Sequence, residues 1–145
     1  MRRSLMFALS PLALLACAGS ATAATLAVTK TATCGCCSKW VEHMKKAGFT
    51  VTARDVEDVG PTAQRLRVPD KLRSCHTAEI GGYAIEGHVP AADIKRLLAE
   101  RPKAAGIAVP GMVMGSAGME NGAHKEAYQT ILFDKAGKTR VFASH

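Results

Sequence analysis

The feature that most constrains this chain is a cluster of three cysteines within four residues, Cys-Gly-Cys-Cys at 34–37. It follows an alternating run with β-branched residues, 25–30, that is typical of a strand. It precedes an amphipathic run, 38–47, whose apolar residues share one helical face. A second run with strand character covers 49–55. Strand, cysteine loop, helix and strand together predict a βαβ unit, in which the two strands pair in parallel.

The cysteine cluster combines C-x-x-C spacing, between Cys34 and Cys37, with a third thiol at Cys36. Free N–H groups and a partial positive charge at a helix N-terminus favour thiolate over thiol. Thiolates attack disulfides and also bind soft metal ions, so a dithiol oxidoreductase and a metal site share these requirements. A dithiol exchanger needs only two sulfurs, and a third invites scrambling. A Cu(I) site can use all three, and bridging sulfur favours a polynuclear cluster.

A fourth thiol, Cys75, lies beside His76 and leaves two alternatives open. Zinc could use three of the cysteines and one histidine, which would leave Cys36 without a role. In an oxidising compartment the thiols could instead form structural disulfides. Adjacent cysteines rarely pair, because the geometry is strained, so a single bridge from the cluster to Cys75 is the disulfide arrangement that fits best.

The first 23 residues have the character of a secretory signal. Two arginines precede an apolar run over 5–16, and Ala-Thr-Ala at 21–23 matches the A-x-A cleavage pattern. The apolar run is too short to remain as a membrane span. We therefore expect a signal peptide over 1–23 and a domain over 24–145 that is exported to the periplasm. A lipoprotein box ending at Cys17, with a lipid anchor on that cysteine, is the competing interpretation.

Composition and charge argue against nucleic-acid binding. The formal net charge is +7, and loss of the two arginines of the signal lowers it to +5. The basic residues are scattered, and the chain has one Trp and few other aromatics, so it lacks a basic stripe with stacking platforms. A length of 145 residues suits a single domain with a sizeable core.

The rest of the chain reads as a continuation of one α/β domain. The remaining regular elements are predicted from periodicity and from Gly and Pro boundaries: helices over 61–66 and 91–100, a strand pair or one irregular strand over 79–86, and a hairpin of strands 130–134 and 139–142. The segment 103–122 holds five glycines and three methionines. We interpret it as an irregular loop with a functional role.

Several histidines and methionines could complete a metal shell, and each also has a simpler interpretation. His88 could be a ligand or a polar turn residue. Met112 and Met119 lie among glycines rather than at helical spacing, although methionine is more often core filler. His76, beside Cys75, could be a ligand or a surface histidine, and core packing is the simpler interpretation of His43.

Four short motifs occur in order along the chain. They are Cys-Gly-Cys-Cys at 34–37 with Trp40 and His43, Cys-His-Thr-Ala at 75–78, the segment 82–90 ending in Gly-His-Val-Pro, and the Gly- and Met-rich segment 106–120. Together they resemble the CopG-type periplasmic copper-resistance family, long catalogued as a domain of unknown function. The resemblance spans nearly the whole of 24–145. The sequence departs from the family's expected prolines at Val113 or Met114 and at Ala117.

The resemblance implies a single thioredoxin-like α/β domain, with a mixed β-sheet flanked by helices, that carries a cysteine-bridged Cu(I) cluster. It implies copper resistance, with interconversion of Cu(I) and Cu(II) as an oxidoreductase activity. We expect copper ions, and periplasmic copper exporters or chaperones, as partners. The metal ligands carried over from the family are Cys34, Cys36, Cys37, Cys75, His88, Met112 and Met119. A periplasmic thiol–disulfide oxidoreductase that uses Cys34 and Cys37 is the alternative function.

Overall fold

The computed structural model describes residues 24–145, and the predicted signal and Cys17 lie outside the described residues. The described part begins with a βαβ unit and ends in a hairpin. In chain order its elements are β1 (Leu26–Thr31), α1 (Gly35–Lys46), β2 (Val51–Val56), α2 (Gly60–Arg65), a 3-10 turn (Asp70–Leu72), β3 (His76–Ile80), β4 (Tyr83–Glu86), α3 (Ala91–Glu100), β5 (Gly106–Ala108), β6 (Gln129–Phe133) and β7 (Thr139–Ser144).

The strands form one seven-stranded sheet in the order β2-β1-β3-β4-β5-β6-β7. β1 pairs with β2 in parallel, as the βαβ pattern predicted, and β4 pairs with β5 in parallel. The β1–β3, β3–β4, β5–β6 and β6–β7 pairs are antiparallel. The predicted mixed sheet in a single α/β domain is therefore confirmed.

Helices cover both faces of the sheet. On one face α1 buries Trp40 and Met44, and α3 buries Ile94 and Leu97, against apolar strand residues such as Ile85. On the other face a smaller cluster gathers around α2 and the 3-10 turn: Ala63, Val68, Leu72, Ala84, Ala105, Ala108 and Phe133. Trp40 is fully buried, so its replacement by Ala would cost about 3–5 kcal/mol of stability.

Two boundaries differ from the sequence prediction in ways that matter for the site. α1 begins at Gly35 rather than at 38, with Cys34 as its N-cap residue. Cys36 and Cys37 therefore lie in the first helical turn instead of in a preceding loop. β5 lies within the segment that was predicted to be irregular. A Cβ at Gly106 would overlap the Ala84 carbonyl oxygen, so a glycine at this position allows β5 to approach β4 closely. The glycine-rich composition of the segment had hidden this strand from the sequence prediction.

The thioredoxin-like assignment stays a prediction. The βαβ unit is followed by an antiparallel β3–β4 hairpin and by α3, and every described peptide bond, including Val89–Pro90, is trans. None of the helices within residues 24–145 is long and apolar enough to cross a bilayer.

Candidate metal centre

The sulfur atoms of Cys34, Cys36, Cys37 and Cys75 meet at the N-terminus of α1, all within 4.8 Å of one another. Cys34 and Cys37 are joined by a disulfide, whereas Cys36 and Cys75 are thiols. Cys36 Sγ lies 3.5 Å from Cys34 Sγ and 4.0 Å from Cys75 Sγ. The alternative in which a structural bridge ties the cluster to Cys75 is therefore not the one that the structure adopts.

Sheet topology brings Cys75 to the cysteine cluster. β1 and β3 are antiparallel neighbours, and Lys30 near the end of β1 lies opposite His76 at the start of β3. The loop that leaves β1 and the residue that precedes β3 must therefore share one edge of the sheet. That edge is also where α1 begins, so residues far apart in the chain converge there.

The electrostatic environment at this edge favours a negatively charged sulfur at Cys34 and opposes one at Cys75. The first turn of α1 contains no acidic residue, and the backbone N–H of Cys37 points to Cys34 Sγ at 3.4 Å. Burial, with repulsion from Cys36 as a second cause, raises the pKa of Cys75 to about 12. A bound cation would offset both causes, so metal binding at Cys75 would release a proton.

His88 is fully buried and faces the cluster. Its Nε2 lies 3.1 Å from Cys75 Sγ, and its Nδ1 lies 2.8 Å from the carbonyl oxygen of Ala117. Because a carbonyl can only accept, Nδ1–H is the donor, and neutral His88 presents the lone pair of Nε2 toward Cys75. Burial lowers the pKa of His88, which keeps that lone pair free. Ligating histidines in proteins commonly show this carbonyl-oriented arrangement.

Of the two interpretations of His76, the surface histidine is wrong, because its side chain is completely buried. Its ring packs against Trp40 and lies edge-on to His88, at centroid distances of 4.4 and 5.1 Å. Nδ1 lies 3.4 Å from Cys75 Sγ, while Nε2 has no hydrogen-bond partner among the described residues. Burial, with the neighbouring His88 as a second cause, lowers the pKa of His76 to about 3. The strand pattern could have indicated this burial, because His76 and the buried Ala78 lie on the same face of β3.

Glu86 is a second residue that sequence reasoning missed. Its carboxylate is buried, accepts the Ser74 backbone N–H at 2.7 Å and accepts the Thr77 hydroxyl at 2.6 Å. Burial raises the pKa of Glu86. The two hydrogen bonds bracket Cys75 and His76, so this carboxylate fixes the orientation of the dipeptide that faces the cluster.

The loop between β5 and β6 carries Met112, Met114 and Met119 and is called the Met-rich loop here. Its backbone contacts the same edge of the sheet. Ser74 Oγ donates to the Gly111 carbonyl at 2.5 Å. A Cβ at Gly118 would lie 2.9 Å from the Cys36 carbonyl oxygen, so the loop there touches the first turn of α1. Met119 follows directly and is half-buried, whereas Met112 is 58% exposed. Of the seven predicted ligands, the structure gathers the four cysteines and His88 and leaves Met112 largely in solvent.

A contact between His43 and Glu120 fastens this loop to α1. His43 Nε2 lies 3.0 Å from Glu120 Oε1, and both Glu120 carboxylate oxygens lie 3.1 Å from the Gly118 N–H. The side chain of His43 is 45% exposed, so the expectation of core packing for this residue is wrong.

The donor set fits copper. Four sulfurs and one oriented imidazole nitrogen are soft or borderline ligands, which suit Cu(I) better than hard cations. A disulfide sulfur is not a thiolate, so the four-sulfur group is complete only after Cys34 and Cys37 are reduced.

Comparison with known proteins agrees with this chemistry. Residues 72–119 match a family model described as a protein of unknown function, DUF411. A solved structure of copper resistance protein CopG, Form 2, is 43% identical with a TM-score of 0.80, and covers 84% of this chain and 98% of that one. Form 1 is 44% identical with a TM-score of 0.79, and covers 83% and 96%. No curated protein sequence matches the chain. The chain belongs to the CopG-type copper-resistance family.

Proposed function

We propose that this protein contributes to copper resistance by holding Cu(I) through Cys34, Cys36, Cys37 and Cys75 in their reduced form. The observation that carries the proposal is the approach of four sulfurs within 4.8 Å at a helix N-terminus. Because a thiolate can bridge two ions, so compact a sulfur group favours a polynuclear Cu(I) cluster over a single ion.

His88, Met119 and Met112 complete the proposed site. His88 already presents Nε2 toward the cluster. The two methionines would add thioether sulfur from the loop that packs on α1, and a soft thioether suits Cu(I). Met112 is exposed, so it would contribute by folding inward as copper binds. The site would also interconvert Cu(I) and Cu(II) by exchanging one electron per ion with an external redox partner, and imidazole is the ligand that suits both oxidation states.

The setting of this activity is the periplasm. Residues 1–23 would direct export and be removed, or Cys17 would carry a lipid anchor. Copper exporters or copper chaperones of that compartment are the expected protein partners. A thiol cluster that takes up Cu(I) there would limit the toxicity of the free ion.

An anaerobic Cu(I) titration of the reduced protein, in competition with a chromophoric chelator, tests the proposal. We expect more than one Cu(I) per chain and a clear loss of affinity in Cys36→Ser. Ser38→Ala is the matched control, because Ser38 is exposed on the same turn of α1. Less than one Cu(I) per chain, or an affinity unchanged in Cys36→Ser, would count against a cluster.

A thiol–disulfide oxidoreductase is the second candidate, and the Cys34–Cys37 disulfide at a helix N-terminus favours it. Reduction of insulin separates the two functions. An enzyme of this type would keep its activity in Cys36→Ser and Cys75→Ser and lose it in Cys34→Ser. A protein that only binds copper would show no catalysed reduction.

A further inference from the structure

A cavity of about 570 Å³ lies at the end of the sheet opposite the candidate metal centre. β3 begins at His76 beside that centre and ends at Ile80, so the Gly81–Gly82 turn that follows lies at the far end. α3 and β6 end there as well, and residues that follow all three elements line the cavity. We propose that this cavity binds a phosphate group, carried by a soluble anion or by a phospholipid headgroup. The proposal is independent of the proposed copper function.

Three basic side chains line the cavity. Arg101 and Lys103 belong to the segment between α3 and β5, and Lys135 belongs to the turn between β6 and β7. All three residues are exposed, and none of them forms an ion pair with another residue of 24–145. Positive charges that converge on a concave surface without carboxylate partners raise the local concentration of anions. The sign of the charge therefore points to an anionic ligand.

Asp134 is the acidic residue among the described residues that line the cavity, and its own turn occupies it. Its Oδ1 accepts the backbone N–H groups of Ala136 at 2.8 Å and of Lys138 at 3.0 Å. The carboxylate is thereby held in the β6–β7 turn rather than paired with a basic side chain. One carboxylate against three cations leaves a net positive charge for a ligand to neutralise.

Backbone donors add to this positive surface at the Gly81–Gly82 turn. Both glycines line the cavity, and their N–H groups have no acceptor among the described residues. A Cβ at Gly82 would meet no atom within 4 Å, so the turn is open at this position. Free backbone N–H groups at a concave turn are donors that anions use in proteins. A phosphate group carries enough acceptor oxygens to engage the basic side chains and these N–H groups together.

Arg101 supplies a second, independent observation. It has a left-handed backbone, with φ +45°, at the C-terminus of α3, where glycine is the usual residue. The side chain is held at the cavity, because its guanidinium lies 6.0 Å from the centre of the Tyr83 ring. The Tyr83 hydroxyl in turn donates to the Pro102 carbonyl oxygen at 2.8 Å. A guanidinium pairs with two phosphate oxygens at once, which would account for an arginine where its backbone is unfavourable.

Arg67 is the matched control for Arg101. It is the other non-glycine residue within 24–145 that has a positive φ, +59°, and it follows the end of α2. It is also exposed, but it does not line the cavity. Replacing either arginine by glycine removes one positive charge near a helix C-terminus and relieves the same backbone conformation. Both variants should therefore keep a thermal midpoint close to that of the wild type.

The fold also gives a reason to test phospholipid as a source of the phosphate. β1 starts at the same end of the sheet, since Ala27 pairs with Glu79 next to the β3–β4 turn. Residue 24 therefore lies at this end. A lipid anchor on Cys17, the alternative processing considered above, would place the cavity toward the membrane and the metal centre away from it.

Titration with inorganic phosphate and with pyrophosphate, followed by amide NMR shifts, tests the soluble source. If a soluble anion supplies the phosphate, binding should saturate at one site, and Gly81 and Gly82 should show the largest shifts. Arg101→Gly and Lys103→Gln should each weaken this binding about five- to tenfold. Arg67→Gly and Lys39→Gln, which remove exposed cations elsewhere, should retain the wild-type affinity.

Sedimentation with vesicles tests the lipid source. If a phospholipid supplies the phosphate, more protein should bind to phosphatidylglycerol vesicles than to phosphatidylcholine vesicles, and Arg101→Gly should reduce that excess more than Arg67→Gly does. All variants carry the same N-terminal residues, so a difference between them reports the cavity. A loss specific to Arg101→Gly in either experiment supports the proposal and identifies the source. Absence of saturable binding in both experiments, or equal losses in Arg101→Gly and Arg67→Gly, overturns it.

Discussion

His88 Nε2 lies 3.1 Å from Cys75 Sγ while Nδ1 of the same ring lies 2.8 Å from the Ala117 carbonyl oxygen. One side chain thus links the residue before β3, the loop after β4 and the Met-rich loop. A displacement of any one of these segments would change the direction of Nε2. The geometry of the candidate metal centre therefore depends on contacts outside its ligands.

The contact of Gly118 with α1 gives the first prediction. A Cβ there would lie 2.7 Å from the Trp40 backbone nitrogen, and its φ is +84°. We expect Gly118→Ala to lower the free energy of unfolding by about 2–4 kcal/mol, from backbone strain and from displacement of the loop. Urea unfolding measures the change, and Cu(I) affinity should fall with it.

Gly122→Ala is the matched control for the Gly118 variant. Gly122 also has a positive φ, +59°, but a Cβ there would meet no atom within 4 Å. Its cost should be limited to about 1 kcal/mol of backbone strain, with Cu(I) affinity unchanged. Equal losses in the two variants would show that the contact with α1 is unimportant.

Glu86 gives the second prediction. Glu86→Leu would leave the Ser74 N–H and the Thr77 hydroxyl without their buried acceptor, at about 1–3 kcal/mol each. We also expect copper affinity to fall about 10–100-fold, because the Cys75–His76 dipeptide loses its support. Glu86→Gln should lose less stability and less copper affinity. Its amide oxygen can accept the Ser74 N–H, and its amide nitrogen can donate to the Thr77 hydroxyl if that hydroxyl rotates.

Glu79→Gln is the control for the Glu86 variants. Glu79 lies in β3 and pairs with Arg65 at the surface. Exposed ion pairs contribute little, so its stability should change by less than about 1 kcal/mol. A Glu86→Leu variant that is as stable as Glu79→Gln would contradict the orienting role of the carboxylate.

The buried His76 gives a pH prediction for the metal-free protein. Its pKa is about 3 in the folded state, against 6.5 for an ordinary histidine. Between these values the unfolded chain binds the extra proton, so stability is lost as the pH falls below about 6.5. His88, whose pKa is also lowered, acts in the same direction, whereas Glu86, whose pKa is raised, acts in the opposite one.

The difference between the wild type and His76→Gln isolates the contribution of His76. Urea unfolding at several pH values between 7.5 and 5 should give a shallower loss of stability in the variant. Lys135→Gln, at an exposed position in the turn between β6 and β7, should retain the wild-type slope. Parallel curves for all three proteins would contradict the burial of a neutral His76.

The methionines give a further prediction. Met119→Leu and Met112→Leu keep volume and remove the thioether, so each should weaken Cu(I) binding if it supplies a ligand. Met114→Leu is the control on the same loop. Chelator competition measures all three affinities. Cu(I) affinities of Met112→Leu and Met119→Leu that equal the wild-type affinity would remove these two methionines from the site.

Local pattern was enough to predict the βαβ unit, the C-terminal hairpin and the approach of the cysteines to a helix N-terminus. The three cysteines at 34–37 lie within one helical turn, so their positions relative to one another depend little on the rest of the fold. The pairing of β1 with β3 is a long-range contact, and it helps to bring His76 beside Trp40. The role of Glu86 could not be predicted from the sequence either. Its two hydrogen-bond partners, Ser74 and Thr77, lie in a different segment of the chain, on either side of Cys75 and His76.

We expect the four sulfurs of the reduced centre to hold several cuprous ions together. Copper-edge X-ray absorption of the Cu(I)-loaded, reduced protein tests it most directly. The expected result is a shell dominated by sulfur and a short copper–copper vector that disappears in Cys36→Ser. A shell of nitrogen and oxygen alone, or sulfur ligation without any copper–copper vector in the fully loaded wild type, would contradict it.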